Sequence, residues 1–289
     1  ETLLTLRKGN AEMHLKLPVT PEKLTPAEQK LLEYIEGNRE EFLFMTIGQL
    51  AAKLEVSEAT ISRYARHLGC QDFKQLKNIV IEQNHLEGPA GKMAGTLFTD
   101  GSESSFQAAN YLRQQMFYLE KTMQQLDEQT FDAAIGEILS ARRIWIHAKS
   151  ASASMGQLLF FRLRRLGLPV SQLPSGGTEM MEGVAQAEEN DLVIFFGFSK
   201  VSWEGKVILD CQKTAGYRTL CFTGRLHAPK EEQADVNLYV YRGEAGEYHS
   251  MTAAAALVDA LVVAVSERLG ADGAKNLQKI HKMKKRYRI

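Results

Sequence analysis

Apolar positions in the first 83 residues repeat at helical spacing. Leu31, Leu32 and Ile35 follow Thr25-Pro26-Ala27-Glu28, a capping box with proline at the first helical position. Ile47, Leu50, Ala51 and Leu54 follow Thr46, and Gln49 stands three residues beyond that cap. Ser57 then leads Ile61, Ala65 and Leu68, and Gly69 closes the run. Phe73, Leu76 and Val80 give a further inward face over residues 72–83. Between 84 and 104 turn formers dominate without periodicity, which predicts a linker. Beyond it, amphipathic helices at 106–125 and 130–140 lead into short apolar runs at 144–147, 169–173, 192–196, 218–222 and 236–241. Helical patterns at 152–166, 178–187 and 204–215 separate these runs, and 253–269 reads as a buried closing helix. Strands alternating with helices imply a parallel sheet covered on both faces. Ligands of such sheets sit beyond the carboxyl ends of the strands. The expected plan is an all-α domain over 1–83, a linker over 84–104 and an α/β domain over 105–289.

Composition narrows this picture only a little. At 289 residues, 44% hydrophobic and 24% charged, the chain is ordinary globular protein, with no collagen-like or disordered bias. Its 35 basic residues balance 35 acidic ones, which excludes a uniformly basic coat but not a local basic face. Cys70, Cys211 and Cys221 lie in no metal-ligand spacing and read as reduced thiols of a cytoplasmic protein. No metal or cofactor is expected. No apolar stretch approaches the ~20 residues of a membrane span, and residues 1–17 lack the layout of a signal peptide.

Two short helices joined by a three- to four-residue turn fit a DNA-binding helix-turn-helix, and equally a helical bundle used for packing. On the first reading, the helix over 57–68 turns Glu58, Ala59, Thr60, Ser62, Arg63 and Arg66 outward. Small polar residues near its start, Ser57 included, reach base edges in the major groove, and Arg63 reaches a guanine edge or a phosphate. Thr46, Lys53, Lys74 and Lys77 stand where backbone phosphates are expected. Over residues 53–77 the basic excess is only two, a thin footprint that suits a dimer on two half-sites.

Residues 46–69, which read TIGQLAAKLEVSEATISRYARHLG, resemble the N-terminal domain of the RpiR/MurR family of bacterial transcriptional regulators. The continuation CQDFKQLK at 70–77 resembles that family's LG-x-x-x-F-x-x-L-K. The resemblance implies a helix-turn-helix domain followed by a SIS (sugar isomerase) domain, and it covers nearly the whole chain. It implies a cytoplasmic homodimer or homotetramer bound to a double-stranded operator, more a repressor than an activator, of sugar or carbon metabolism genes. It implies control by a small phosphosugar-like effector.

SIS domains usually carry Gly-x-Gly-x-Ser after the first strand. Here Ala148 and Ser150 replace both glycines, and only Ser152 matches. The phosphate cradle Ser-x-Ser-Gly-x-Thr becomes Gly197-Phe198-Ser199-Lys200-Val201-Ser202, keeping two hydroxyls at Ser199 and Ser202. Lys149 and Lys200 enter the two loops, to meet a phosphate or carboxylate, or to face solvent beside an impaired site. Glu247, His249 and Ser250 lie where SIS proteins often complete the sugar pocket, and His147 stands at a strand end. SIS domains also occur in phosphosugar isomerases, for which Glu182, Glu247 or His249 would serve as base. The attached helix-turn-helix and the altered loops argue for a regulator without catalytic residues. Seven cations after Gly273, with no acid among them, read as a solvated helix face or as extra phosphate contact.

Overall fold

The computed structural model describes residues 15–19, 21, 23–83, 89–97, 107–244 and 247–288. The chain divides into two compact units, Glu1–Tyr111 with Glu244–His249, and Leu112–Gly243 with Ser250–Ile289.

The first unit contains helices α1 (Pro26–Gly37), α2 (Arg39–Phe44), α3 (Ile47–Leu54), α4 (Glu58–His67), α5 (Phe73–Gln83) and α6 (Pro89–Leu97). Both expected capping boxes form: Thr25 Oγ1 accepts from Glu28 N at 3.3 Å, and Thr46 Oγ1 from Gln49 N at 3.1 Å. Leu31, Ile35, Phe42, Leu43, Ile47, Leu50, Ile61, Tyr64 and Val80 make one core. Glu28 does a second job. Burial raises its pKa, but bonds from Thr25 and His67 outweigh that and leave its carboxyl below the usual range. Its contact with His67 Nδ1, at 2.9 Å, ties the start of α1 to the end of α4.

Two elements depart from the sequence expectation. The short helix α2 has its apolar residues in one run, Phe42-Leu43-Phe44, so periodicity does not show it. Helix α6 lies inside the expected linker, where Gly91 and Gly95 lower intrinsic propensity. Contacts with α2 and α5 hold it. Residues 84–88 and 98–104 of that linker lie outside the described residues.

Lys77 requires a correction: it is not a phosphate contact. It is 1% exposed, among the most buried side chains of the helical core. Its Nζ donates to the carbonyls of Leu43, at 3.3 Å, and Met45, satisfying groups that the end of α2 leaves open. The ammonium also lies 5.1 Å from the Phe73 ring centre. Its place beside Phe73 and Val80 at helical spacing is the sequence signal for burial.

In the second unit, α7 (Ala108–Gln124, entering from the first unit) and α8 (Glu128–Ser140) precede a βα alternation. It runs β1 (Ile144–His147), α9 (Ala153–Arg165), β2 (Val170–Gln172), α10 (Gly177–Val184), β3 (Leu192–Gly197), α11 (Trp203–Ala215), β4 (Arg218–Thr223) and β5 (Val236–Tyr239). Helices α12 (Thr252–Leu269) and α13 (Ala271–Tyr287) close the chain. The sheet is parallel throughout, in the order β2-β1-β3-β4-β5. Strand alternation sends Leu192 and Ile194 into a core with α8, α9 and α12, and Val193 and Phe195 into a second core with α10 and α11. Asp191, 1% exposed, anchors the start of β3. It accepts from Arg142 Nε and Nη2 at 2.9 and 3.0 Å, Trp145 Nε1 at 3.1 Å and Glu188 N at 3.2 Å.

Two outcomes test these cores. Burial pushes the Lys77 ammonium down to about 7, so between pH 7 and its ordinary 10.5 the unfolded chain holds the extra proton. Its contribution to stability therefore rises with pH through that window. In urea melts of the full chain, wild type should gain on Lys77→Met from pH 7 to pH 9.5. A constant difference would refute the buried amine. Asp191→Ala takes the acceptor from the Trp145 and Glu188 N–H groups, while Arg142 keeps Glu188 at 2.8 Å, and should cost about 2–3 kcal/mol in the same melts.

Candidate functional site

The turn between α3 and α4 is set by Glu55, whose backbone is left-handed at φ 54°. Val56 N then bonds back to Ala51 O at 3.0 Å, and Ser57 Oγ caps α4 by accepting from Thr60 N at 3.1 Å. Ile61, Tyr64 and Ala65 are buried, which leaves Glu58, Ala59, Arg63 and Arg66 exposed and Thr60 and Ser62 half-buried at one face. Arg63 Nη2 leans on Thr60 Oγ1 at 3.4 Å. The Glu58 carboxylate lies over Gly48, where an added Cβ would come within 2.8 Å of it. That places Glu58 against α3 rather than among the free polar groups. Lys53 is exposed but held by Glu41 at 2.5 Å, with its ammonium 5.4 Å from the Tyr34 ring centre. Thr46 caps α3, and Lys74 is half-buried on α5. With Lys77 in the core, this face has one cation fewer than the sequence suggested.

In the second unit, strand order reverses direction between β1 and β3, the place where open parallel sheets form a crevice at their carboxyl ends. The loops after β1 and β3 both leave from that point. The altered residues there are each accommodated. Ser150 adopts φ 51°, the left-handed conformation that a glycine takes without strain. The methyl of Ala148 faces Gly156, where a Cβ would lie 2.6 Å from it, so α9 makes the room the loop needs. At Gly197 a Cβ would meet Cys221 Sγ at 3.3 Å and Val201 Cγ2 at 3.4 Å, leaving little space for the side chain of a serine.

An ion pair joins the two loops. Lys149 Nζ, half-exposed, bonds Glu204 Oε2 at 2.6 Å, and Glu204 is 3% exposed in the first turn of α11. Burial raises the Glu204 pKa. Bonds from Lys149, from Ser202 and from its own backbone N–H outweigh that and hold it below the usual carboxylate range. The carboxylate thus takes donors at a helix N-terminus that otherwise suit an anion. Ser202 caps α11, accepting from Gly205 N at 3.3 Å. Ser152 Oγ donates to Lys149 O at 2.8 Å and fixes the first loop. Ser199 and Lys200 are exposed.

His147, 3% exposed, contacts Pro174 O through Nδ1 at 3.2 Å. A carbonyl only accepts, so Nδ1 carries the hydrogen and Nε2, buried without a partner, is an acceptor. Burial lowers its pKa and keeps the ring neutral. Sequence reasoning missed Arg242, which lies 4.0 Å from the Phe198 ring centre and links the segment after β5 to the β3 loop. Burial pushes its guanidinium down to about 10, still charged at neutral pH. Its signal was weak: one arginine after a strand. Glu247 and His249 fall in the first unit instead. Glu247 Oε2 accepts from Glu244 N at 3.0 Å, and His249 lies 3.4 Å from Lys92 Nζ. Among the described residues no group of His, Cys, Asp and Glu could hold a metal ion, and no helix is long and apolar enough to cross a membrane.

Comparison with known proteins places both units. Residues 12–85 match the helix-turn-helix domain of the rpiR family, and residues 137–264 match the SIS domain. A relative in Caldanaerobacter subterraneus subsp. tengcongensis, named "Uncharacterized HTH-type transcriptional regulator TTE0211", is 23% identical over 84% of this chain and 86% of its own length. The fold is similar to the sugar isomerase domain of an RpiR transcription factor from Sphaerobacter thermophilus, at TM-score 0.56 and 20% identity over 60% of this chain and 97% of that one. It is also similar to the Vibrio vulnificus NanR protein complexed with ManNAc-6P, at TM-score 0.56 and 19% identity over 91% and 94% of the two chains.

The Lys149–Glu204 contact is testable without any ligand. A double-mutant cycle with Lys149→Met and Glu204→Gln should show a coupling of about 1–2 kcal/mol, reduced from a fully buried pair because Lys149 reaches solvent. Zero coupling would mean that the two loops are not joined in solution.

Proposed function

We propose, for a chain that belongs to the RpiR family of helix-turn-helix transcriptional regulators with a SIS domain, that it represses genes of sugar or carbon metabolism under control of a small phosphorylated-sugar-like effector. The observation that carries this reading is the exposed polar face of α4, on the helices that match the family's DNA-binding domain, joined in one chain to a SIS sheet with a cation-bearing crevice. Arg63, Thr60, Ser62 and Arg66 are the base-edge and groove contacts, with Ser57 at the start of the helix. Thr46, Lys53 and Lys74 contact phosphates, and Lys53 must leave Glu41 to do so. The effector site rests on residues of the second unit alone. Ser199, Lys200 and Ser202 meet the anionic group, Lys149 transfers to it from Glu204, and Ser150 shapes the first loop.

A chain that reads two half-sites works as a homodimer or homotetramer in the cytoplasm. Leu112, Met116 and Met123 support self-association. They are 62–68% exposed along one stripe of α7, an apolar surface suited to a second copy. Effector binding shifts operator affinity by favouring one arrangement of the DNA-binding domains, and the residue 84–104 segment transmits it.

The tests separate the two activities. Selection on genomic fragments should yield a specific duplex, and Arg63→Ala should weaken binding to it by about 1–3 kcal/mol, roughly 5- to 150-fold. Equal affinities would remove α4 from the interface. In a thermal-shift screen of phosphosugars that includes ManNAc-6P, a true effector at a hundredfold excess over its Kd stabilises by about 2.7 kcal/mol. The increment should disappear in Ser199→Ala/Ser202→Ala. Equal increments in both proteins would displace the proposed site. Turnover of a phosphosugar without DNA binding would favour the isomerase reading.

A further inference from the structure

Helix α13 (Ala271–Tyr287) is anchored along one face only. Gly273 packs against Leu269, Asn276 Nδ2 donates to Arg165 O at 2.8 Å, and Leu277 packs on the sheet core. From His281 to Arg288 every residue is exposed. At 100° per residue, Lys275, Lys279, Lys282 and Arg286 fall within an arc of about 60°, opposite the packed face of Gly273, Asn276, Leu277 and Ile280. They form a straight stripe about 16 Å long at 1.5 Å per residue. The stripe edges a shallow groove of about 460 Å³, which Gln278 and Met283 also line.

Most of the charge on this stripe is not used internally. Lys275 pairs with Asp272 at 2.8 Å, both exposed. Lys279, Lys282 and Arg286 have no carboxylate partner among the described residues, and no acid follows Asp272 in the sequence. The last turn is basic too, with Lys284, Lys285 and Arg286, which suits the negative end of the helix dipole. That accounts for the last turn, but not for Lys275, Lys279 and Lys282, which lie one to three turns earlier on the same face. A row of cations about 4.5–6 Å apart along a rigid rod, three of them without a carboxylate partner among the described residues, suits a polyanion with regularly spaced charges, and duplex DNA carries one phosphate per ~3.4 Å of axis on each strand.

We propose that the Lys275–Lys279–Lys282–Arg286 face of α13 is a second, sequence-independent DNA contact that grips the phosphate backbone of duplex DNA. This rests on the DNA-binding reading above, but on none of the α4 residues. It makes the α/β unit an electrostatic partner in DNA binding as well as a sensor.

The test uses the full-length protein and a mixed-sequence duplex of about 30 base pairs carrying no selected site, titrated by fluorescence anisotropy from 50 to 200 mM salt. Each phosphate contact contributes about 0.9 to the slope of log affinity against log salt. Lys279→Gln/Lys282→Gln/Arg286→Gln should flatten that slope by roughly 2–3 relative to wild type. Glutamine keeps helix propensity, so circular dichroism should be unchanged. Lys279→Arg/Lys282→Arg should retain the wild-type slope. An unchanged slope in the glutamine variant overturns the proposal, and so does a wild type that fails to bind the mixed-sequence duplex at 50 mM salt. Glutamine-sensitive binding to phosphatidylserine-containing vesicles with an unchanged DNA slope also overturns it, by assigning the stripe to lipid. Failure of operator selection, or of the Arg63→Ala effect on a selected site, leaves this measurement readable and counts against the α4 reading instead.

Discussion

A sheet whose five strands all run parallel cannot leave either face in water, and most of the second unit follows from that constraint. Each return from one strand to its parallel neighbour needs a crossover, and α9, α10 and α11 supply crossovers that also cover the faces. The alternation of Leu192, Val193, Ile194 and Phe195 feeds two cores at once. Because β1 pairs with β2 on one side and β3 on the other, successive crossovers part company there and leave a gap at the carboxyl ends. The loops after β1 and β3 leave from that gap.

The ion pair between Lys149 and Glu204 gives this gap its particular chemistry. An unpaired carboxylate at that burial would be expensive. With Lys149, Ser202 and its own N–H around it, Glu204 remains charged at a helix N-terminus. Any incoming anion must therefore compete with a built-in one. Beside them, the bare Nε2 of His147 can only accept, and so asks for a hydroxyl or N–H rather than for another anion.

Much of this was legible in the sequence. The caps at Thr25, Thr46 and Ser57, and the strands at 144–147, 192–196, 218–222 and 236–241, were all visible because local chemistry and tertiary packing agree there. Where they disagree, the sequence misled. Lys77 reads as a surface cation until the open carbonyls of α2 are known, and α2 itself is too short for its period to register. Helix α6 forms against its own glycines because α2 and α5 hold it. Lys149 and Glu204 lie 55 residues apart, so nothing local announces their contact. Arg242 gains meaning only from the Phe198 ring beneath it.

The packing of Ala148 against Gly156 makes each position a condition on the other. A side chain at 156 collides with the methyl at 148, so no residue larger than glycine is tolerated there while Ala148 stands. With glycine at 148, the nearest neighbours of a Cβ at 156 become Ile146 Cγ2 at 3.4 Å and Phe196 Cε2 at 3.8 Å, which leaves room for alanine and little more. The two positions are therefore coupled, and a side chain at 156 is accommodated only together with a change at 148.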